Sequence, residues 1–351
     1  MNLDNHTQFA LIDTLGMLEE IRALPQQLEK AWETGEGLPL PQVKEISRII
    51  IAGMGGSAIG ADLLSAYIYS DCAIPLFVLR GYSLPAWAQG SDVLVICSSH
   101  SGNTEETLTV FEECLQKGCS VMTISTGGKL LELARQHGIT HWSFTHAGQP
   151  RAAVGFSFGL LLNLFSRLKF IPAQEEALHQ AAQAMRALLA EIDADRPVVQ
   201  NLAKRLAGQA MERFPVVFGA EHLEPVARRW KTQLNEIGKC LAGFEFIPEA
   251  DHNTLAGLEK PEELLYRIYA LFLNSGNYSE RNQKRFLLTA QEFMLAGVCI
   301  DPVMQNADGR LTEMWKLILL GDMVSFYLSM LYEVDPTPVD MLTNLKNALR
   351  N

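Results

Sequence analysis

Basic charge is in short supply in this sequence: 29 Lys and Arg stand against 40 Asp and Glu, a formal net charge of -11. So acidic a chain repels a phosphate backbone over most of its surface, which excludes bulk nucleic-acid binding. One small phosphorylated ligand is still allowed, because a local nest of backbone N–H groups overcomes the mean field. No run approaches the roughly 20 apolar residues a membrane span requires. The greasiest, 154–165 and 317–332, are broken by Ser157 and Asn163 and by Gly321-Asp322. No basic-then-apolar leader opens the chain. The cysteines at 72, 97, 114, 119, 240 and 299 form no CxxC pair and mostly fall in apolar segments, where reduced, buried thiols are expected. H-E-x-x-H is absent, and His137, His141 and His146 lack a Cys or carboxylate at ligand spacing, so no metal is expected. Nor does a Gly-x-Ser-x-Gly stand as a nucleophile elbow, which argues against the common hydrolase arrangement. What remains is a 351-residue chain, 48% hydrophobic and 20% charged. That is globular composition, enough for about two domains, and a cytoplasmic protein is expected.

Hydrophobic periodicity predicts an amphipathic helix over 8–32, interrupted at Pro25, with Leu11, Leu15, Leu18, Ile21 and Leu24 on one stripe. Strands are then expected at 48–52, 76–79, 92–97 and 120–124, and helices at 58–69 and 104–117. Continuous apolar strands separated by helices indicate a parallel sheet covered on both faces. Residues 173–208 read as one or two long bridging helices. A second α/β half follows, with a strand at 215–219, a helix at 225–241 and a strand at 244–248; the last third reads as largely helical.

Two turns carry chemistry. The first strand runs into Gly53-Met54-Gly55-Gly56-Ser57-Ala58-Ile59-Gly60, where backbone amides and a helix N-terminus can approach an anion and Ser57 adds a hydroxyl. The same residues satisfy the loose dinucleotide fingerprint G-x-G-x-x-A, but the next strand ends in Arg80 rather than Asp or Glu. Three readings stay open here: an anion cradle, an NADP site, or a tight turn that binds nothing. The third strand ends in Cys97-Ser98-Ser99-His100-Ser101-Gly102-Asn103-Thr104, at the end of a buried strand where ligands sit in open α/β sheets. Asn103 and Glu106 are expected to form a capping box, which leaves Ser99, Ser101, Gly102 and Thr104 unexplained. Hydroxyls and amides without a P-loop Lys suit the monoester of a sugar phosphate better than a triphosphate.

These two motifs, in this order, resemble the SIS (sugar isomerase) domain. The segments Gln149-Pro150-Arg151-Ala152-Ala153, Arg229 to Glu236, Glu249-Ala250-Asp251-His252-Asn253 and the ending from Leu320 through Val334-Asp335-Pro336-Thr337-Pro338 to Leu345-Lys346 resemble the bifunctional phosphoglucose/phosphomannose isomerase family. The resemblance extends from about the first strand to the C-terminus, and it is the joint occurrence of the segments that makes it specific. It implies an α/β fold of two SIS-type subdomains, each a parallel sheet flanked by helices, expected at 1–195 and 196–351. It implies an aldose–ketose isomerase acting on phosphosugars, without a cofactor and as a homodimer. The phosphate falls to Gly55, Gly56, Ser57, Ser99, Ser101 and Thr104, and the chemistry to Glu236 as base, His252 for ring opening from across the dimer interface, Lys346 and Arg151.

Read without the resemblance, these residues are less telling. Val226, Trp230, Leu234, Ile237 and Leu241 form an apolar stripe, which leaves Arg229, Gln233 and Glu236 on an opposite face that reads as solvated, with Glu236 pairing to Lys239. His252 reads equally as part of a polar loop, Lys346 as a surface Lys and Arg151 as an ion-pair partner. His100, Asp251, Thr254 and Ile237 depart from the residues usual in the family. Two alternatives share the serine–glycine turns: an isomerase confined to one sugar, and a phosphosugar-binding regulator that needs neither Glu236 nor Lys346.

Overall fold

The computed structural model describes residues 2–304 and 309–349, which form two compact units, Ala23–Gln183 and Met1–Arg22 with Ala184–Asn351. Compared with a division at 195, residues 1–22 and 184–195 group with the C-terminal sheet. Local anchors explain why. In α1 (Met17–Arg22), Arg22 Nη2 meets Asp193 Oδ1 at 2.6 Å, and upstream the buried Lys204 donates to the carbonyls of Leu3, Ala194 and Arg196 at 2.6–2.8 Å. Phe9 packs on Phe326 and Tyr327. Gly16, at φ +74°, breaks the expected long N-terminal helix, so Leu11 and Leu15 are exposed while Leu18 and Ile21 are buried.

The unit Ala23–Gln183 holds α2 (Leu24–Gly37), β1 (Arg48–Ala52), α3 (Gly55–Tyr67), β2 (Leu76–Leu79), β3 (Val93–Ser98), α4 (Glu105–Gln116), β4 (Ser120–Ser125), α5 (Gly128–Gln136), β5 (Thr140–Ser143), α6 (Val154–Arg167) and the first half of α7 (Glu175–Ile192). Its five parallel strands run in the order β2-β1-β3-β4-β5. Every residue of β3 is buried, as a central strand covered on both faces must be. On one side α2 and α6 approach closely because glycine lies at the crossing: a Cβ on Gly155 would sit 2.6 Å from Gln27 Cβ, and one on Gly159 2.6 Å from Ala31 Cβ. Gly155-Phe156-Ser157-Phe158-Gly159 does spell Gly-x-Ser-x-Gly, but within this buried helix and not at a strand-to-helix turn, so its glycines serve packing.

The other unit continues with α8 (Leu202–Ala210), β6 (Phe214–Ala220), α9 (Glu224–Glu236), β7 (Gly243–Ile247), α10 (Glu262–Leu265), β8 (Ile268–Asn274), α11 (Glu280–Leu295), β9 (Cys299–Met304), α12 (Arg310–Leu331) and α13 (Asp340–Leu349). Its four parallel strands run β7-β6-β8-β9. The last third is therefore less helical than expected, since β8 and β9 complete this sheet; Pro302 is tolerated because β9 is an edge strand. Helix α12 is long and apolar enough to cross a membrane by composition, which the sequence reading had excluded, yet 89% of its most apolar stretch is buried inside the protein. It is the core helix of its unit.

Against α12 lies α9. Trp230 Nε1 donates to the Leu317 carbonyl at 2.8 Å, and Arg229 Nη2 meets Asp322 Oδ2 at 2.5 Å, both side chains almost fully buried. Burial pushes the Asp322 carboxyl upward, and Arg229 and Gln233 act against that shift. Arg229 and Gln233 are thus buried at 1% exposure, a correction to the solvated face expected for them: α9 is covered on both sides. A Cβ on Gly321 would lie 2.4 Å from Trp230 Nε1. Gly321→Ala should therefore separate the two helices and lower stability by about 1–3 kcal/mol, the usual cost of overpacking. Urea denaturation of the variant against the parent checks this; equal midpoints would refute it.

Candidate active site

In the sheet β2-β1-β3-β4-β5 the chain leaves β1 in one direction to β2 and in the other to β3, so the crevice between the ends of β1 and β3 is the topological switch point. Both serine–glycine turns open there. After β1, Gly55 takes φ +51° and α3 begins with Met54 as its N-cap and no side-chain cap. A Cβ on Gly53 would lie 2.8 Å from the Ser98 carbonyl, so glycine is what lets the two strand ends close up. One on Gly56 would lie 2.4 Å from the Pro150 carbonyl, with the Arg151 Cα 3.7 Å away. The turn Pro150–Ala152, carrying the buried Arg151, thus lies directly on the first glycine turn. Ser57 is buried behind it.

After β3, Ser99 Oγ and Thr104 Oγ1 are 2.8 Å apart, and the Gly102 amide donates to Ser99 Oγ at 3.1 Å. Ser101, which is exposed, accepts from the Asn103 amide at 3.2 Å. Helix α4 begins one residue later than a cap at Asn103 requires: Thr104 is the N-cap and no side chain caps the helix. The expected capping box is therefore not formed. Asn103 Oδ1 accepts instead from the Lys129 amide at 3.0 Å, tying this turn to α5. Two helix N-termini, of α3 and α4, accordingly face the switch point without side-chain caps, with Ser57, Ser99 and Thr104 beside them. Their amides and positive dipole ends suit an anionic group.

His100 sits inside the second turn. Its Nε2 lies 3.0 Å from His146 Nδ1, and the rings pack on Phe144 and Phe156. One ring must donate and the other accept, so the contact needs at least one neutral ring. Burial, reinforced by His146, lowers His100 from its ordinary value to about 4; burial lowers His146 as well. Arg80, which left an NADP site open, forms an ion pair with Asp62 of α3.

Glu236, His252 and Lys346 belong to the other unit. Glu236 is the last residue of α9, half-buried, and the helix stops there rather than at 241 because Lys239 turns the chain at φ +54°. Lys239 Nζ donates to the Glu236 carbonyl at 2.6 Å, to that of Pro336 at 3.1 Å and also to that of Pro338. His252 is exposed at the end of a short turn after β7 whose neighbours are fixed. Asp251 accepts from Arg285 at 2.7 Å and Thr289 at 2.6 Å, and Asn253 donates to Glu249 at 2.9 Å. Lys346 is exposed on α13, in which no residue is buried. Within its unit the structure thus brings together Gly55, Gly56, Ser57, Ser99, Ser101, Thr104 and Arg151. In the other it links Glu236 through Lys239 to the segment leading to Lys346. Among the described residues no group of three or more His, Cys, Asp or Glu could hold a metal ion.

The corresponding crevice of the second sheet, between the ends of β6 and β8, holds a polar cluster the sequence did not reveal. Glu313 Oε2 is 2.8 Å from His222 Nε2 and accepts from Ser275 at 2.5 Å and Asn277 at 3.3 Å, with His222, Ser275 and Glu313 buried. Glu313, the tie from Lys239 to Pro336 and Pro338 and the pairing of His146 with His100 were missed because the partners are distant in sequence.

The two parallel sheets and the glycine–serine switch point define a protein of sugar-isomerase (SIS) type. Residues 199–349 match the bacterial phospho-glucose isomerase C-terminal SIS domain. The chain is 37% identical over 95% of its length to a bifunctional phosphoglucose/phosphomannose isomerase of Caldicellulosiruptor bescii, covering 98% of that protein. It is 31% identical over 94% of its length to one of Thermoplasma acidophilum, covering 96% of it. A glucose-6-phosphate isomerase like protein from Thermus thermophilus has the same fold, with TM-score 0.64 at 19% identity over 97% of this chain and 99% of that one. The chain belongs to the bifunctional phosphoglucose/phosphomannose isomerase family, and is an enzyme, an intramolecular oxidoreductase.

The histidine pair makes a pH prediction. A ring lowered from 6.5 to about 4 takes up its proton more readily unfolded than folded. Its contribution to stability is therefore whole above pH 6.5, declines as pH falls and is lost below about 4. His100→Gln should lose less thermal stability than the parent between pH 7 and 4; parallel melting curves over that range would refute the assignment.

Proposed function

We propose that this isomerase interconverts glucose 6-phosphate and mannose 6-phosphate with fructose 6-phosphate through a cis-enediolate. The observation that carries the reading is the switch-point cradle: two side-chain-uncapped helix N-termini flanked by Ser57, Ser99 and Thr104, without a P-loop Lys. It suits the phosphate monoester of a sugar, and Gly55, Gly56 and Ser101 complete the set assigned to it. The reaction oxidises C2 and reduces C1 of one molecule, so it needs no external oxidant or cofactor.

His252, aided by Lys346, moves a proton to the ring oxygen as the O1 proton leaves, which opens the ring. The Glu236 carboxylate takes the proton from C2; the C–H electrons form the C1–C2 double bond and charge moves to O1. Arg151 is the group assigned to that oxygen, and it must be in place before the charge develops. Its burial beside the first glycine turn supports such a fixed role. The O2 proton then passes to O1, which moves the charge to O2, and Glu236 returns its proton to C1 as O2 becomes the carbonyl. In reverse, the planar enediolate can be protonated at C2 on either face, and one base reaches both the glucose and mannose epimers when the intermediate rotates to turn its other face to Glu236.

A positioned general base supplies roughly 10²- to 10⁴-fold. Glu236→Gln should lower turnover of both aldose phosphates by about that factor while the protein stays folded by circular dichroism. Undiminished activity would refute the base, and phosphosugar binding without turnover in the parent would make the protein a regulator. The exposure of His252 supports its assignment to the active site of a second copy of the chain. Dilution below the dimer dissociation constant should then abolish activity. Full activity in a demonstrated monomer, by centrifugation, would overturn the dimer.

A further inference from the structure

Helix α9 ends at Glu236, and three residues later the backbone turns left-handed at Lys239, φ +54°. That conformation strains an L side chain and favours glycine or asparagine, the usual residues at such a helix stop. Here a lysine occupies it, and its side chain folds back onto the helix end. The ammonium has three donors, and three carbonyls lie within reach: Glu236 at 2.6 Å, Pro336 at 3.1 Å and Pro338. The first is the backbone of the proposed base. The other two belong to a strap that enters α13 two residues beyond Pro338.

That strap is itself anchored. Pro336 and Thr337 are buried, the Thr337 amide donates to Asp335 Oδ1 at 2.9 Å, and Asp335 Oδ2 accepts from Thr14 at 2.6 Å. Helix α13 is not. None of its residues is buried, and Met341, Leu345 and Leu349 are 88%, 58% and 72% exposed. Within its unit, the place of α13, and so of Lys346, depends on the strap at its root.

We infer that Lys239 is a positioning residue: its ammonium ties the end of α9, bearing Glu236, to the strap that carries Lys346, and so sets the two relative to each other. The inference rests on the reading of Glu236 as base and Lys346 as its partner in ring opening. Reacting groups displaced by about 1 Å lose about 10²-fold in rate. Lys239 therefore acts on kcat without touching substrate.

The test is Lys239→Gly, which keeps the left-handed backbone and removes the ammonium, beside Lys239→Arg, which keeps a cation. For each, kcat and KM for glucose 6-phosphate are measured, along with amide hydrogen exchange of residues 336–349. In Lys239→Gly, kcat should fall by about 10²-fold with KM within about threefold, and exchange in 336–349 should quicken; Lys239→Arg should restore both. Wild-type kcat in Lys239→Gly, or unchanged exchange, overturns the inference. Should that variant fail to fold, Lys239→Met, which retains the aliphatic stem, is held to the same outcomes. Glu236→Gln, assayed in parallel, tests the base separately: full activity there overturns the reading of Glu236, whereas the exchange of 336–349 reports on the clamp alone.

Discussion

An ion pair sealed from water, Arg229 with Asp322, holds α9 against α12, and the placement of the end of α9 depends on it. Two charges inside an apolar seam are poor glue in net energy, because desolvation offsets their attraction. Their geometry is demanding, however. Removing either partner strands the other, at about 3–5 kcal/mol, so the pair admits one register of α9 on α12. The Trp230 hydrogen bond and the absent side chain of Gly321 lock the same register. Seven residues beyond Arg229, that register fixes where the helix ends and where Glu236 stands.

Much of this was legible in the sequence, for a physical reason. The central strands β1, β3 and β4 of the first sheet are buried on both faces, so they appear as apolar runs such as Ile49-Ile50-Ile51, and the glycines of the first turn carry their own explanation in the backbone they allow. The residues assigned to phosphate came from the same local logic. What stayed hidden depended on partners far along the chain. Asn103 looks like a helix cap until the α5 amide it serves is in view. Arg229 and Gln233 look solvated because the helix that covers them begins some 80 residues later. β8 is an apolar run like those read correctly, but β9, with Pro302 and Asp301, carries little strand signal of its own. The roles of Glu236, His252 and Lys346 came from resemblance: spacing alone gave a carboxylate on a solvated helix face, a histidine in a polar loop and a surface lysine.

The two sheets share a plan and differ at the place that matters. Each has a switch point beside its first strand. In the first sheet, small residues and side-chain-uncapped amides line that crevice; in the second, His222, Ser275, Asn277 and Glu313 fill it with their own hydrogen bonds. A crevice whose donors and acceptors are already paired has little to offer an anion. The second crevice is thus closed by its own side chains, whereas the first leaves two helix N-termini without side-chain caps.

The grouping of the first 22 residues with the C-terminal sheet bears on how the molecule is made. The unit Ala23–Gln183 is continuous in sequence and can complete its sheet as soon as it leaves the ribosome. Its companion cannot: Phe9 and Thr14 find Phe326 and Asp335 only after some 300 further residues have been made. Phe9, buried in the finished fold, must therefore wait through that stretch of translation, and until α12 emerges the nascent chain carries a finished sheet and an aromatic side chain without the rings that cover it.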